Sequence, residues 1–515
     1  MLSAQIPVLT LLIFFPLAGC AALFLLGDEK KVRVFTLAIS LAELILALPL
    51  FAFKLGEAGF QFVEKLAWVP SWGLNYYLGV DGISLLMVAL TVAILPLCVL
   101  CSWSYISSRV REFHFCLLFM TSACVGVFVA LDLVLFYVFW EAMLIPMYLL
   151  IAVWGGPERK YASIKFFLYT LAGSTLLLVA VVALRITGDT FAIPELMQRG
   201  YSFEFQYWVF LAMAIAFAIK VPMFPFHTWL PAAHVQAPTA GSVLLASVLL
   251  KMGTYGFLRF CLPITPAGAE HFAGLMIIVS LASIIYGGAV ALGQTDIKKI
   301  IAYSSVGHMG FVTLGIFVFN LRGAEGALFQ MLNHGITTGA LFMMVGAVYE
   351  RSHSREVADN LGLGKYLPAF MGLWGLFAFS SFGFPGTNSF VGEFLVLLGA
   401  FQHQTWVGFA AVPGALLAAA YMLKLTQNLA WGAPSAAKAW PDLKPREWAY
   451  LALPAFFVLY IGLMPGVFYK VMDPSLENML GIMKRPTAHQ DAPPNEDRQA
   501  ALRQALATAR LEGGR

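Results

Sequence analysis

Long apolar runs, separated by short polar gaps, occupy most of this 515-residue chain. A helix needs about 20 mostly apolar residues to cross the hydrocarbon core of a bilayer. Twelve runs meet this requirement directly: residues 6–26, 34–53, 83–103, 113–130, 133–154, 164–186, 242–261, 272–292, 300–319, 327–349, 406–431 and 449–466. Only 12% of the residues are charged, about half the share found in soluble proteins. The sequence therefore predicts an all-α polytopic membrane protein surrounded by a lipid bilayer.

Two further apolar regions, residues 207–238 and 366–401, are too long for one straight crossing. The first is interrupted around Pro222 and the second around Pro385. Broken helices are tolerated at membrane depth only where the freed backbone groups are buried in protein or line a wet cavity. Each region is predicted to form one crossing made of two half-helices. Together with the twelve uninterrupted runs, they give about fourteen transmembrane helices.

The interrupted crossing is the fourth of five in residues 113–261 and again in residues 272–431. Such pairs of interrupted segments are typical of transporters built from inverted repeats. Because five is an odd number, the second copy must be inverted relative to the first. The predicted units are an N-terminal three-helix region (1–112), a first five-helix repeat (113–261), a second, inverted five-helix repeat (272–431), a last transmembrane helix (449–483) and a polar tail (484–515).

Lysine and arginine are distributed unevenly over the predicted loops. Sixteen lie in or beside odd-numbered loops and six in or beside even-numbered ones. Cytoplasmic loops carry the excess of these residues, so the odd-numbered loops are predicted to face the cytoplasm and both termini the outer face. The net charge of +4 is small. No basic stretch is interleaved with aromatic residues in a polar context, which argues against nucleic acid as a partner.

Six ionisable side chains lie inside the apolar spans, where each costs roughly 2.5–3.5 kcal/mol on insertion scales. They occur in both repeats, and one lies in each interrupted crossing: Glu141, Lys220, Lys251, His308, His334 and Glu393. A carboxylate beside a desolvated lysine stabilises the protonated amine, so moving the carboxylate switches the lysine between its loaded and empty forms. The pattern therefore favours proton transfer over charge pairs that only lock helices together.

Other chemistry has little support in the sequence. Cys98 and Cys101 lie in an apolar stretch without further ligands at metal-binding spacing. His227 and His234 lie on the interrupted crossing without nearby carboxylates, so solvation of the broken helix is favoured over metal binding. Neither a nucleotide-binding loop nor a haem or iron–sulfur motif is visible. No cofactor, metal or redox centre is expected in this chain.

The segment KVPMFPFHTWLPAAHVQAPT, residues 220–239, resembles the broken-helix motif of the antiporter-like subunits of respiratory complex I. The same family includes subunits of multisubunit cation/proton antiporters and of membrane-bound hydrogenases. Supporting stretches are Gly79–Ser84, Phe139–Glu141, Ala302–His308 and Phe384–Thr387. The resemblance implies a proton-translocating subunit of the bacterial inner (cell) membrane. It also implies that NADH, flavin, iron–sulfur clusters and quinone are handled by partner subunits.

Within that family, Glu393 favours the M-type branch, because the sister subunits usually carry lysine at this place. The resemblance implies that Glu141 couples charges and that Lys220 is a switching lysine. It implies a central relay for Lys251, His308 and His334, and a terminal proton carrier, open to the outside, for Glu393. The expected partners are the other membrane subunits of complex I, including the sister antiporter-like subunits.

Two alternatives remain open from the sequence. One is a subunit of a multisubunit cation/proton antiporter or membrane-bound hydrogenase with the same fold. The other is a membrane scaffold whose buried charges serve only as packing pairs. The scaffold predicts that substituting Lys220 or Glu393 harms assembly but leaves pumping per turnover intact.

Overall fold

A computed structural model describes residues 7–433 and 440–484. The predicted polar tail, residues 484–515, lies outside the described residues except for Lys484. The described chain is predominantly helical, as predicted. Its helices are α1 (Val8–Leu23), α2 (Glu29–Leu46), α3 (Gly82–Cys101), α4 (Val110–Val129), α5 (Leu133–Ala142), α6 (Leu144–Trp154), α7 (Arg159–Gly188), α8 (Ile193–Leu196), α9 (Phe203–Lys220), α10 (Trp229–Gln236), α11 (Thr239–Leu244), α12 (Leu250–Gly256), α13 (Leu262–Ile264), α14 (Pro266–Leu292), α15 (Ile297–Phe317), α16 (Leu321–Ser352), α17 (Pro368–Ser381), α18 (Asn388–His403), α19 (Thr405–Trp431), α20 (Pro445–Leu463) and α21 (Gly466–Met483).

The described helices account for the fourteen predicted crossings. Eleven helical segments are long and apolar enough to cross a membrane, and the bent pair of α20 and α21 adds a twelfth. The other two predicted crossings fall on α1, an apolar helix of 16 residues, and on the pair of α17 and α18. The halves of that pair have 14 and 16 residues, so all three helices are shorter than the roughly 20 residues of a full span.

The first interrupted crossing consists of α9 and α10, which are separated by residues 221–228. Prolines inside a helix remove a backbone donor and clash with the preceding turn, which explains the break at Pro222. The indole nitrogen of Trp229 donates a hydrogen bond to the carbonyl of Ile219 (2.8 Å). The backbone N–H of Phe224 donates to the hydroxyl of Ser283 on α14 (2.9 Å). Protein groups therefore satisfy part of the backbone that the break frees.

The second interrupted crossing consists of α17 and α18, separated by residues 382–387. Gly383 and Gly386 adopt φ angles of 72° and 90°, which favour glycine because it has no Cβ. The side-chain carbonyl of Asn388 accepts a hydrogen bond from the hydroxyl of Ser380 (2.5 Å) and another from Thr337 on α16 (3.3 Å). These bonds hold the two half-helices together and against α16.

The crossing that contains Lys251 is also irregular, although its sequence predicts a straight helix. Two π-helical turns, Leu245–Leu249 and Phe257–Cys261, flank the short helix α12. Such turns are rare and occur frequently at functional sites. All residues of this crossing from 240 to 264 are buried inside the protein. Lys251 is therefore enclosed by protein rather than by lipid.

An antiparallel hairpin that the sequence does not predict connects α2 to α3. Its strands are β1 (Gln61–Val69) and β2 (Leu74–Val80). Asp81 follows the hairpin and caps α3, since its carboxylate accepts hydrogen bonds from the backbone of Ile83 and Ser84. The same carboxylate forms a buried ion pair with Arg259 (2.5 Å). This pair ties the N-terminal region to the crossing that carries Lys251.

The sequence predicts one last transmembrane helix at residues 449–483, but the structure divides this crossing into two helices. Helix α20 ends at Leu463 and α21 begins at Gly466, with a bend of 75° between them. Pro465 lies at the bend, where its ring and its missing N–H prevent α20 from continuing. Helix α21 buries the face that carries Met472, Leu476 and Met479.

Candidate functional site

Five of the six predicted site residues are almost completely buried. The exposed fractions are 1% for Lys220, 0% for Lys251, 3% for His308, 2% for His334 and 4% for Glu393. The sixth, Glu141, is partly exposed on α5. Buried ionisable groups are costly unless they are hydrogen-bonded or paired. The contacts of each of these six side chains therefore indicate its role.

Lys251 contacts His334 directly. Its amine lies 2.7 Å from Nδ1 of His334 on α16, and it also donates to the carbonyl of Ala246 (2.5 Å). The opposite ring nitrogen of His334, Nε2, is buried and has no hydrogen-bond partner. An imidazole can accept a proton at one nitrogen and release one at the other. His334 is therefore placed to pass on a proton that it receives from Lys251.

His308 and Glu393 form the next contact. Nδ1 of His308 lies 2.8 Å from Oε1 of Glu393, and Nε2 lies 3.2 Å from the hydroxyl of Tyr421. The side-chain amide of Gln330 donates to the same carboxylate oxygen (2.9 Å). The ring centroids of His308 and His334 are 5.9 Å apart. A proton that passes between the two imidazoles has to cross this gap, which their described contacts do not bridge.

These contacts define what we call the Lys251–Glu393 file, which consists of Lys251, His334, His308 and Glu393. At its far end, Oε2 of Glu393 faces the break between α17 and α18. A Cβ added at Gly383 would lie 3.0 Å from that oxygen. Glycine suits this position for two reasons: it adopts the positive φ angle easily, and it has no Cβ to crowd the carboxylate of Glu393.

Glu141 and Lys220, to which the resemblance gives the coupling and the switching role, are not in direct contact. The amine of Lys220 lies 3.4 Å from the thioether sulfur of Met143 and 5.0 Å from the ring centroid of Trp140. Among the described residues, Glu141 and Lys220 form no direct ion pair, although they interact electrostatically at longer range. Met143 lies at the junction of α5 and α6.

Glu141 is only partly paired. Its carboxylate interacts with the hydroxyl of Tyr137, one turn earlier on α5. Its Oε1 atom is buried and has no hydrogen-bond partner. An unsatisfied carboxylate oxygen is costly. This geometry leaves Glu141 free to take a second partner when the surroundings change.

Several contact residues are absent from the sequence-based set. Tyr421 and Gln330 hold the His308–Glu393 pair, while Met143 and Trp140 hold Lys220. A search for ionisable residues alone does not find them. Gln330 is polar inside an apolar span, which is a detectable signal. Tyr421, Met143 and Trp140 are ordinary membrane residues, and only the fold brings them to the site.

The sequence favours solvation of the broken helix as the role of His227 and His234, but the ring of His234 does not have this role. His234 is fully buried, and neither of its ring nitrogens has a hydrogen-bond partner among the described residues. Its ring stacks on Phe342 of α16, with centroids 4.5 Å apart. His227 packs against Tyr286 and Phe224 instead.

A metal centre has no candidate ligand set in residues 7–433 and 440–484. No group of three or more His, Cys, Asp or Glu side chains is arranged there to hold an ion. The six cysteines, including Cys98 and Cys101, are all buried and unpaired.

The fold defines an antiporter-like membrane subunit. The profile described as "NADH:quinone oxidoreductase/Mrp antiporter, TM" matches residues 130–418. The profile described as "NADH-ubiquinone oxidoreductase chain 4, amino terminus" matches residues 1–126. NADH-quinone oxidoreductase subunit M of Rhodobacter capsulatus is 45% identical over 498 residues, which cover 92% of this chain and 96% of that protein. The chain belongs to the subunit M (chain 4) family of NADH–quinone oxidoreductase, so the M-type branch predicted from Glu393 is confirmed.

Solved structures agree with this assignment. A chain of respiratory complex I from Thermus thermophilus matches with a TM-score of 0.85 and 32% identity, covering 92% of this chain and 99% of that one. A chain of the Mrp complex from Dietzia sp. matches with a TM-score of 0.81 but only 23% identity, covering 94% of this chain and 54% of that one. The second likeness shows a shared fold alone. It therefore does not favour the antiporter alternative.

Proposed function

We propose that this chain translocates protons within NADH–quinone oxidoreductase, through Glu141, Lys220 and the Lys251–Glu393 file. The observation that carries the proposal is a set of two buried contacts, Lys251–His334 and His308–Glu393, whose imidazole rings lie 5.9 Å apart. Each member can bind and release a proton. Groups positioned in this way speed proton transfer by about 10²- to 10⁴-fold.

The first repeat supplies the control step. Lys220 is buried beside a thioether and an aromatic ring, and Glu141 lies nearby with one unpaired oxygen. Movement of Glu141 towards Lys220 stabilises the protonated amine, and movement away promotes release of the proton. Electron transfer between NADH and quinone takes place in partner subunits, which hold the flavin and the iron–sulfur clusters. The chain itself contributes no redox centre to this scheme.

The partners are the other membrane subunits of the complex, including the sister antiporter-like subunits. The chain crosses the bacterial cell membrane many times, with both termini on the outer face. A reporter enzyme that works only outside the cytoplasm should therefore be active when it is fused to the C-terminus. A cytoplasmic signal would contradict both the charge count of the loops and the inverted repeat. If purified assemblies lack NADH–quinone activity and contain antiporter subunits, the alternative assembly is favoured instead.

The decisive variant is Glu393→Gln, which keeps an oxygen for His308 and Gln330 but cannot release a proton. NADH-driven acidification of vesicles is measured with a pH-sensitive dye and divided by the electron-transfer rate. The ratio should fall on the order of a hundredfold, whereas Glu393→Asp should retain much of it. Glu270→Gln, an exposed position on α14, serves as the matched control. Normal pumping in the Glu393→Gln complex would remove this residue from the pathway.

A further inference from the structure

We propose that Lys298 and His234 form the entry branch through which protons reach Lys251 from the predicted cytoplasmic face. The inference rests on the proposed function of the Lys251–Glu393 file and adds the source of its protons. Neither residue belongs to the sequence-predicted set of six. The proposal is argued from two neighbouring cavities and from a buried histidine whose ring nitrogens have no hydrogen-bond partner among the described residues.

A surface cavity of about 970 Å³ opens on the face that the loop charges assign to the cytoplasm. A second cavity of about 50 Å³ has room for a few water molecules. The two are neighbours, because they share the lining residues Tyr105, Gly156, Pro157 and Tyr349. Lys298 lines the second cavity. This amine therefore lies beside a cavity that adjoins the surface opening.

Lys298 lies in the first turn of α15 and is only 7% exposed. Its amine donates a hydrogen bond to the carbonyl of Ala237 (2.6 Å), which directly follows α10. The nearby carboxylate of Asp296 is engaged by the guanidinium of Arg355 (3.6 Å). Among the described residues, Lys298 forms no ion pair of its own. A buried lysine without a paired carboxylate changes its protonation state readily.

His234 lies on α10, three residues before Ala237, whose carbonyl accepts the hydrogen bond from Lys298. Its ring stacks on Phe342 of α16, the helix that also carries His334. It is near enough to Lys298 and Lys251 to interact electrostatically with both. Both of its ring nitrogens are unpaired in a fully buried site. A phenylalanine would make the same stack on Phe342 without that cost, so packing alone does not account for an imidazole here.

The competing explanation is that Lys298 only caps the last carbonyls of α10, as cations do at helix C-termini. Lys298→Arg separates the two roles. Arginine keeps the charge and the donor, but it does not release its proton. A structural cap predicts normal pumping in this variant. A proton carrier predicts that pumping per NADH oxidised falls about tenfold or more in an assembled complex. Lys299→Arg, on the exposed neighbour, is the matched control.

His234→Phe tests the second carrier. It retains the stack on Phe342 and removes both ring nitrogens, so a packing role predicts no loss. We expect a fall similar to that of Lys298→Arg. Normal pumping in either variant would overturn the entry branch.

The route is tested separately with cysteine at its mouth. Tyr105→Cys lines both cavities, whereas Tyr161→Cys lines only the outer one. All six native cysteines are buried. A bulky, membrane-impermeant thiol reagent, added from the cytoplasmic side, should block pumping in the first variant and spare the second. This result decides the matter where Lys298→Arg does not assemble, and pumping that survives the labelling of Tyr105→Cys overturns the route.

Failure of the inference can be distinguished from failure of the proposed function. If Glu393→Gln stops pumping while Lys298→Arg and His234→Phe pump normally, the file stands and its entry lies elsewhere. If Glu393→Gln pumps normally, the file itself is wrong.

Discussion

The two buried lysines of the first repeat are held in different ways. Lys220 contacts a thioether and an aromatic ring, both of which are weak partners. Lys251 contacts an imidazole of the second repeat and a backbone carbonyl at 2.7 and 2.5 Å. The carboxylate nearest to Lys220 is not bonded to it, whereas Lys251 is bonded to the first histidine of the file. The comparison teaches that the Lys251–Glu393 file, which runs from the first repeat into the second, is arranged for conduction, and that the region of Glu141 and Lys220 contains the gap at which conduction is controlled.

Glu141→Ala is the strongest test of the control step. We expect both pumping and the coupled NADH–quinone turnover to be lost, because Lys220 then lacks the group that switches it. The complex should still assemble, since among the described residues Glu141 and Lys220 interact only at longer range and form no direct ion pair whose loss would strand a buried charge. Proton pumping, electron transfer and co-purification of partner subunits provide the three measurements. An assembled complex that pumps normally would end the switching hypothesis.

Moving the carboxylate sharpens the same test. Residues four apart are neighbours on a helix, and Tyr137 already contacts Glu141. Adding Tyr137→Glu to Glu141→Ala should therefore restore part of the pumping. Tyr137→Gln in the same background is the control, because it is polar and of similar size but carries no charge. Equal recovery in both double variants would show that charge is not what Glu141 contributes.

His308→Gln interrupts the Lys251–Glu393 file. Glutamine can still donate to Glu393, but it cannot exchange a proton between two ring nitrogens. We expect pumping per NADH oxidised to fall on the order of a hundredfold, with less effect on assembly. His403→Gln makes the same substitution near the end of α18, outside the file, and should change little. If His308→Gln pumps normally, protons reach Glu393 by another route and the second repeat loses its continuity.

Much of the architecture follows from the sequence, because crossing a membrane demands long apolar runs and proline or glycine at breaks. The interruptions near Pro222 and Pro385 are visible for this reason. The π-helical turns around Lys251 have no such signal, since their leucines, valine and serine also suit an α-helix. The hairpin was missed because its strands lie between spans, where the search for apolar runs does not reach. Pro465 could have indicated the bend, but the apolar residues on both sides of it favoured one continuous helix.

The site was predictable by residue type but not by pairing. Ionisable residues in apolar spans are rare enough to be found from sequence alone. Which of them meet depends on how α15, α16, α18 and α19 pack, and sequence spacing does not contain that information. Lys251 and His334 are 83 positions apart, and His308 and Glu393 are 85 apart. Sequence likewise does not show that Met143, rather than Glu141, contacts Lys220.

The smallest expected effect belongs to Met143→Leu, which tests whether Lys220 is held loosely. Leucine has nearly the same volume as methionine, so the packing at the junction of α5 and α6 should be kept. The substitution removes only a weak sulfur acceptor, and we expect pumping to change by about twofold or less, as for a hydrogen bond worth about 0.5 kcal/mol. The counterpart on the Lys251–Glu393 file is His334→Leu, which removes the partner of Lys251 and should stop pumping. Vesicle acidification per NADH oxidised compares the two. If Met143→Leu were as damaging as His334→Leu, Lys220 would be held as firmly as Lys251, and the division into a controlling and a conducting half would fail.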